Sequence, residues 1–189
     1  MGRPAKHDAD DFIDAAVAVF AARGVRAVTL AAVADRLGAT NGSIYYRFPD
    51  RTSLLQAVWL RTTAEFRRNY LEVVGEHPTV HAAVDASAWV VEWCRDNLEK
   101  AQVLQSGPRT FDADGEPAQR SDETATEAKL RTIVTSLTGK TAATADEIAF
   151  VMIELPLAVV RRRLQAGTPP GDREIDLVRG LATAVLVGR

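Results

Sequence analysis

Across nearly the whole chain the apolar residues recur at three- and four-residue intervals, and no stretch shows the two-residue alternation of a strand. That period constrains the fold more than any other feature, because a segment so patterned can bury one face only as an α-helix. Ile13, Ala16, Val17 and Phe20 share a face after Asp8, an N-cap followed by Asp10 and Asp11 at the positive end of the helix dipole, and Gly24 ends the run. Thr29 caps a second helix with Leu30, Val33, Ala34 and Leu37 inward, closed by Gly38. Thr40 caps a third, very short one whose inward pair is Ile44 and Phe48, with Tyr46 expected to be more packed than Tyr45. Asp50 caps a long fourth helix carrying Leu54, Leu55, Val58, Trp59, Thr62, Phe66 and Tyr70.

Thr79 opens a fifth helix to about residue 100, and a short sixth runs through Leu104. Residues 107–121, with two prolines, Gly115 and several acids, read as a mobile loop. A seventh helix places Leu130, Ile133, Val134 and Leu137 on one face before Gly139. An eighth covers 145–166, and a ninth carries Val178, Leu181, Ala182 and Val185 in register. The eighth has two apolar sides, one of Ile148, Met152, Leu155 and Val159, the other of Phe150, Ile153, Leu157, Val160 and Leu164. Such a helix must be covered by its own core on one side and a second chain on the other. Pro156 removes a helical hydrogen bond and should kink it. The expected fold class is all-α, with about nine helices.

Composition removes several alternatives. With 189 residues the chain can hold a real core without staples. A single cysteine, Cys94, excludes an intrachain disulfide framework and a multi-thiolate metal site, and its place on an apolar helix face suits an inert buried thiol. The N-terminus lacks an apolar run, and the stretch from Ile148 to Val160 is interrupted by Glu154 and Pro156 and too short for a bilayer, so a cytoplasmic protein with no membrane contact is expected. His77 and His81 straddle a helix boundary and His7 lies apart, and no phosphate-binding glycine loop or nucleophile elbow is present. No catalytic residue, metal or cofactor is therefore expected. The net charge of −2 does not by itself point to a polyanion partner.

Residues 28–51 carry the chemistry. A capped helix, a tight glycine turn and a second short helix form the outline of a helix-turn-helix, whose second helix enters a major groove. With Ile44 and Phe48 inward, that helix exposes Thr40, Asn41, Ser43, Tyr45, Tyr46 and Arg47, all able to hydrogen-bond and none acidic, while Gly42 permits close approach to a duplex. Asparagine pairs with adenine, serine is permissive, and tyrosine hydroxyls and Arg51 reach phosphates. These residues, with Thr29 opening helix two, Leu37-Gly38 closing it, and the run Gly42-Ser43-Ile44-Tyr45-Tyr46-Arg47-Phe48, make the chain resemble the tetracycline-repressor (TetR) family of bacterial transcriptional regulators across roughly 12–70.

The resemblance implies a helix-turn-helix DNA-binding domain over 1–49 and a helical ligand-binding and dimerisation domain over 50–189. It implies a homodimer through helices eight and nine, and a repressor released from a pseudo-palindromic operator by a small molecule. Thr29, Thr40, Asn41, Gly42, Ser43, Tyr45, Tyr46, Arg47 and Arg51 become candidate DNA contacts. Ala31 and Ala32 stand where relatives often carry a polar or basic side chain, which shifts phosphate contacts toward Arg3, Lys6, Arg47 and Arg51. Candidate ligand contacts are Trp59, Thr62, Phe66, Trp89, Trp93, Phe111 and Met152. On helix five, Asp85, Glu92, Asp96 and Glu99 line the side bearing Trp89. The simpler reading is a solvated acidic face with Trp89 at an interface; the sharper one is an anionic aromatic pocket for a cation. A helical carrier or enzyme that keeps an unused head domain is the competing class.

Overall fold

The computed structural model describes residues 7–113 and 117–188, with the side chains of 117–123 left out. The described residues contain no strand, and the helices are α1 (Ala9–Arg23), α2 (Leu30–Leu37), α3 (Asn41–Arg47), α4 (Arg51–Val74), α5 (Val80–Asp96), α6 (Leu98–Ser106), α7 (Pro117–Thr138), α8 (Ala145–Ala149), α9 (Leu155–Gln165) and α10 (Asp172–Leu186). A π-helical turn, Phe150–Glu154, joins α8 to α9. Counted as one rod, these two helices bring the number among the described residues to the nine expected. The chain forms two compact units, one from Met1–Thr63 with Gln102–Gln119, the other from Ala64–Ala101 with Arg120–Arg189.

In the first unit, α1 begins with a reciprocal cap: Asp8 accepts from the Asp11 amide at 3.0 Å and Asp11 accepts from the Asp8 amide at 3.0 Å. It ends at Gly24, whose φ of 77° suits glycine. The Thr29 hydroxyl accepts from the Ala32 amide at 3.1 Å to start α2, and Gly38 closes it in the left-handed conformation. Asp50 accepts from the Ser53 amide at 2.7 Å and opens α4. Thr40 differs from expectation. Its side chain makes no cap bond, and its carbonyl accepts from the Ser43 hydroxyl at 2.7 Å instead. The core of this unit holds Phe12, Val33, Ile44, Leu54 and Leu55 with almost no exposure. A seven-residue helix such as α3 does not persist alone, so Ile44 is what fastens it, and truncation to alanine would cost about 2–5 kcal/mol.

The 107–121 segment is not the open loop the sequence suggested. Residues Pro108–Phe111 form a 3₁₀ turn, Phe111 and Ala113 are buried in the first unit's core, and α7 has already begun at Pro117. The polar residues around Phe111 masked an aromatic side chain with 0% exposure.

In the second unit α5 packs against α9 and α10. Thr79 caps it through the Ala82 amide at 3.1 Å. The helix stops at Asp96, earlier than the periodicity suggested: Asn97 leaves the helical conformation at φ −125° and ψ 54°, and its backbone amide and side-chain amide both donate to the Trp93 carbonyl, at 2.8 and 3.0 Å. The buried positions of the 145–165 rod are Ile148, Val151, Met152, Pro156 and Val160, so the two apolar sides drawn from a regular wheel do not hold. The π turn accommodates an extra residue, which rotates everything after it and carries Val160 inward while Phe150 stays 49% exposed.

Candidate nucleic-acid interface

The helix-turn-helix is set by the packing just described. Because Ile44 and Phe48 are buried, the opposite side of α3 is forced outward: Tyr45 is 56% exposed and Tyr46 84%. The expected ranking of the two tyrosines is thus reversed. Tyr46 lies two residues from both anchors, on the far side of the helix, whereas Tyr45 is only about 100° around from Ile44. The Arg47 guanidinium sits 5.6 Å from the Tyr46 ring centroid, a cation–π pair on an otherwise open surface. Thr40, Asn41, Gly42 and Arg47 are exposed, Ser43 is half-buried, and Thr29 is exposed at the start of α2. Arg3 and Lys6 lie outside the described residues.

Arg51 is placed differently from a groove-edge cation. Its Nε donates to the Val28 carbonyl at 2.8 Å and its Nη2 to the Val25 carbonyl at 2.6 Å. One guanidinium therefore ties the start of α4 to the turn between α1 and α2. The sequence signal was incomplete because backbone carbonyl acceptors have no residue type to be read from.

The candidate ligand contacts fall into two groups. Trp59, Thr62 and Phe111 belong to the first unit, where the Phe111 ring lies 4.9 Å from Phe20 and 6.0 Å from Trp59, centroid to centroid. Phe111 is thereby committed to the core. Trp59 Nε1 and Thr62 Oγ1 are buried with no hydrogen-bond partner among the described residues. Phe66, Trp89, Trp93 and Met152 belong to the second unit, where Phe66 meets Trp93 edge-on at 5.0 Å and Trp89 at 5.6 Å. Tyr70 of the same helix as Phe66 lies 6.1 Å from Trp89 and donates its hydroxyl to the Met152 carbonyl at 3.2 Å. Burial drives the Tyr70 phenol well above its ordinary pKa, so it is a neutral donor. A separate cleft of about 730 Å³ in the second unit is lined by Arg67, Arg68 and Leu71 of α4 and Lys129, Thr132 and Ile133 of α7.

The acids of α5 are taken. Arg179 pairs with Asp85 and with Glu92, and Arg95 holds Asp96 at 2.8 Å and Asp172 at 2.8 Å. Glu99 falls on α6 and is exposed, so three of the four acids behind the cation-pocket reading are ion-paired, which favours the solvated face. Burial pushes the Cys94 thiol up to about 12, which keeps it protonated. Among the described residues, no group of three His, Cys, Asp or Glu could hold a metal ion, and no helix is long and apolar enough to cross a membrane.

A short helix with a bare polar-aromatic face, steadied by a preceding helix and a tight turn, defines a helix-turn-helix protein. Residues 12–58 match the family described as bacterial regulatory proteins, tetR family. It is 35% identical over 69 residues to the "Probable acrEF/envCD operon repressor" of Escherichia coli (strain K12), a match over 36% of this chain and 29% of that protein. The match thus spans less than a third of that curated relative's length. Among solved structures, a TetR family transcription regulator from Marinobacter aquaeolei VT8 shares the fold with a TM-score of 0.74 at 15% identity, over 94% of each chain. The regulator FadR from Bacillus subtilis, solved in complex with stearoyl-CoA, gives 0.65 at 18% identity, over 96% of this chain and all of that one. At such identities the likeness is one of fold.

Proposed function

We propose that the chain is a ligand-responsive, homodimeric DNA-binding regulator, acting in the cytoplasm as a repressor that a small molecule releases from its operator. The observation that carries this reading is α3 itself, with Tyr46 at 84% and Tyr45 at 56% exposure and no acid on that face. Asn41, Ser43 and Tyr45 would meet base edges, while Thr29, Thr40, Tyr46 and Arg47 meet phosphates and Gly42 lets the helix seat closely. Arg51 serves by holding the α1–α2 turn in place. Residues 1–49 would supply the DNA contacts and 50–189 the effector site and dimer contacts.

Dimerisation is supported by an apolar surface left uncovered on the last two rods. Phe150 is 49% exposed, Leu177 51%, Leu181 42% and Val187 59%. A second copy related by a two-fold axis would cover this face and set two α3 helices on half-sites about 34–36 Å apart. The effector would draw on the aromatic group of Phe66, Trp89, Trp93 and Met152, on the unpartnered Trp59 indole and Thr62 hydroxyl, or on the α4–α7 cleft, whose volume suits a drug-sized molecule. A ligand that favours a misaligned pair of heads by a few kcal/mol is enough to empty the operator. Fluorescence anisotropy with the DNA flanking the gene tests the reading. Sub-micromolar, salt-sensitive binding above that to random duplex is expected, and equal binding to both would reject it.

A further inference from the structure

The π turn and Pro156 are linked by one hydrogen bond. In a regular helix the amide of residue 156 would donate to the carbonyl of Met152, four residues back, but proline has no N–H to give. The Tyr70 hydroxyl, arriving from α4, donates to that carbonyl at 3.2 Å. Met152 is buried at 1% exposure, so its carbonyl has no access to bulk water in exchange. Tyr70 is in turn part of the aromatic group with Phe66, 6.3 Å away, and Trp89, 6.1 Å away. The turn itself, in which the Leu155 amide reaches the Phe150 carbonyl, carries Phe150 on the exposed apolar face.

We propose that Tyr70 is a latch: it replaces the helical donor that Pro156 lacks, holds the π turn in register, and lets events in the aromatic group reach the face that carries Phe150. Tyr70 is a positioning residue, and its role as a regulatory link rests on the effector-responsive reading above. Any molecule that offers the phenol a better acceptor, or displaces it sideways, releases the Met152 carbonyl. The turn then has reason to rewind, because π geometry is favoured only while its carbonyls are satisfied.

The test uses four full-length proteins: wild type, Tyr70→Phe, Pro156→Ala and the double variant. In Pro156→Ala the new amide can serve the Met152 carbonyl itself, so the latch becomes dispensable. Hydrogen exchange of the amides in 150–157 should speed up roughly tenfold in Tyr70→Phe and by less than twofold when the same change is made on Pro156→Ala. An equal acceleration in both backgrounds, or none in either, overturns the latch, since loss of packing alone would not depend on residue 156. Operator affinity measured on the same four proteins should follow the same order, weakest for Tyr70→Phe and restored in the double variant. Altered exchange with identical affinity in all four overturns the link to regulation. A wild type that binds no DNA would sink the proposed function while leaving the exchange comparison standing as a test of the latch.

Discussion

Replacing Arg51 with alanine separates two roles that the same residue type can play. The guanidinium gives one donor to Val28 and one to Val25, at 2.8 and 2.6 Å, and is itself half-buried. Hydrogen bonds from a charged group contribute about 1.5–3 kcal/mol each, and carbonyls that can partly rehydrate argue for the lower end, so two bonds are worth about 3–4 kcal/mol. For a chain of this length that loss lowers the melting temperature by roughly 6–16 °C. Arg51→Lys retains the charge but has one compact ammonium in place of the fork, and should recover about half of the loss. Differential scanning fluorimetry and urea unfolding of the three proteins give the comparison. The reasoning is refuted if Arg51→Ala melts with wild type while the dependence of DNA binding on log salt becomes shallower by about one, the signature of a lost phosphate contact.

Tyr46→Ala removes a side chain that is almost wholly exposed, so stability should change by less than about 0.5 kcal/mol while operator affinity falls at least several-fold, as read by anisotropy and melting on one preparation. Leu177→Glu with Leu181→Glu should convert dimers to monomers in light scattering, and an intact dimer would remove that face from the interface. Asp50 and Glu147 are both held below their ordinary values of 3.8 and 4.5, chiefly by backbone amides of Ser53 and Thr144. Carboxylates lowered in this way stabilise the fold in full above those ordinary values and lose the contribution as pH falls through the folded ones. Melting temperature followed from about pH 6 down to about pH 3 should therefore decline on the acid side less steeply for Asp50→Asn with Glu147→Gln than for wild type.

The helices and their caps were legible because they depend on local chemistry. Asp8, Thr29, Asp50 and Thr79 sit in front of periodic runs and each accepts from an amide three residues on. The outward face of α3 was legible by subtraction, once Ile44 and Phe48 were assigned inward. What escaped depends on partners distant in sequence. Arg51 looks like a phosphate ligand until the carbonyls of Val25 and Val28 are seen beside it. Phe111 hides in a polar stretch that turns out to supply core. The π turn at Phe150–Glu154 is not legible from residue types, because its extra residue shows only in the backbone hydrogen bonds. The tyrosine ranking failed because only the angle from Ile44 and Phe48 distinguishes two side chains of the same type.

The first compact unit is assembled from two separate lengths of chain, with Val103, Phe111 and Ala113 returning to a core otherwise built before Thr63. A gene fragment that ends after the fourth helix begins would therefore encode a head missing its own plug. Grafting this head onto another body by a single crossover should give poorly soluble chimeras, whereas a graft that also transplants the returning stretch should not. The same interruption makes recombination an inefficient way for such a chain to trade one recognition helix for another, and leaves point changes on the exposed face of α3 as the easier route to a new operator.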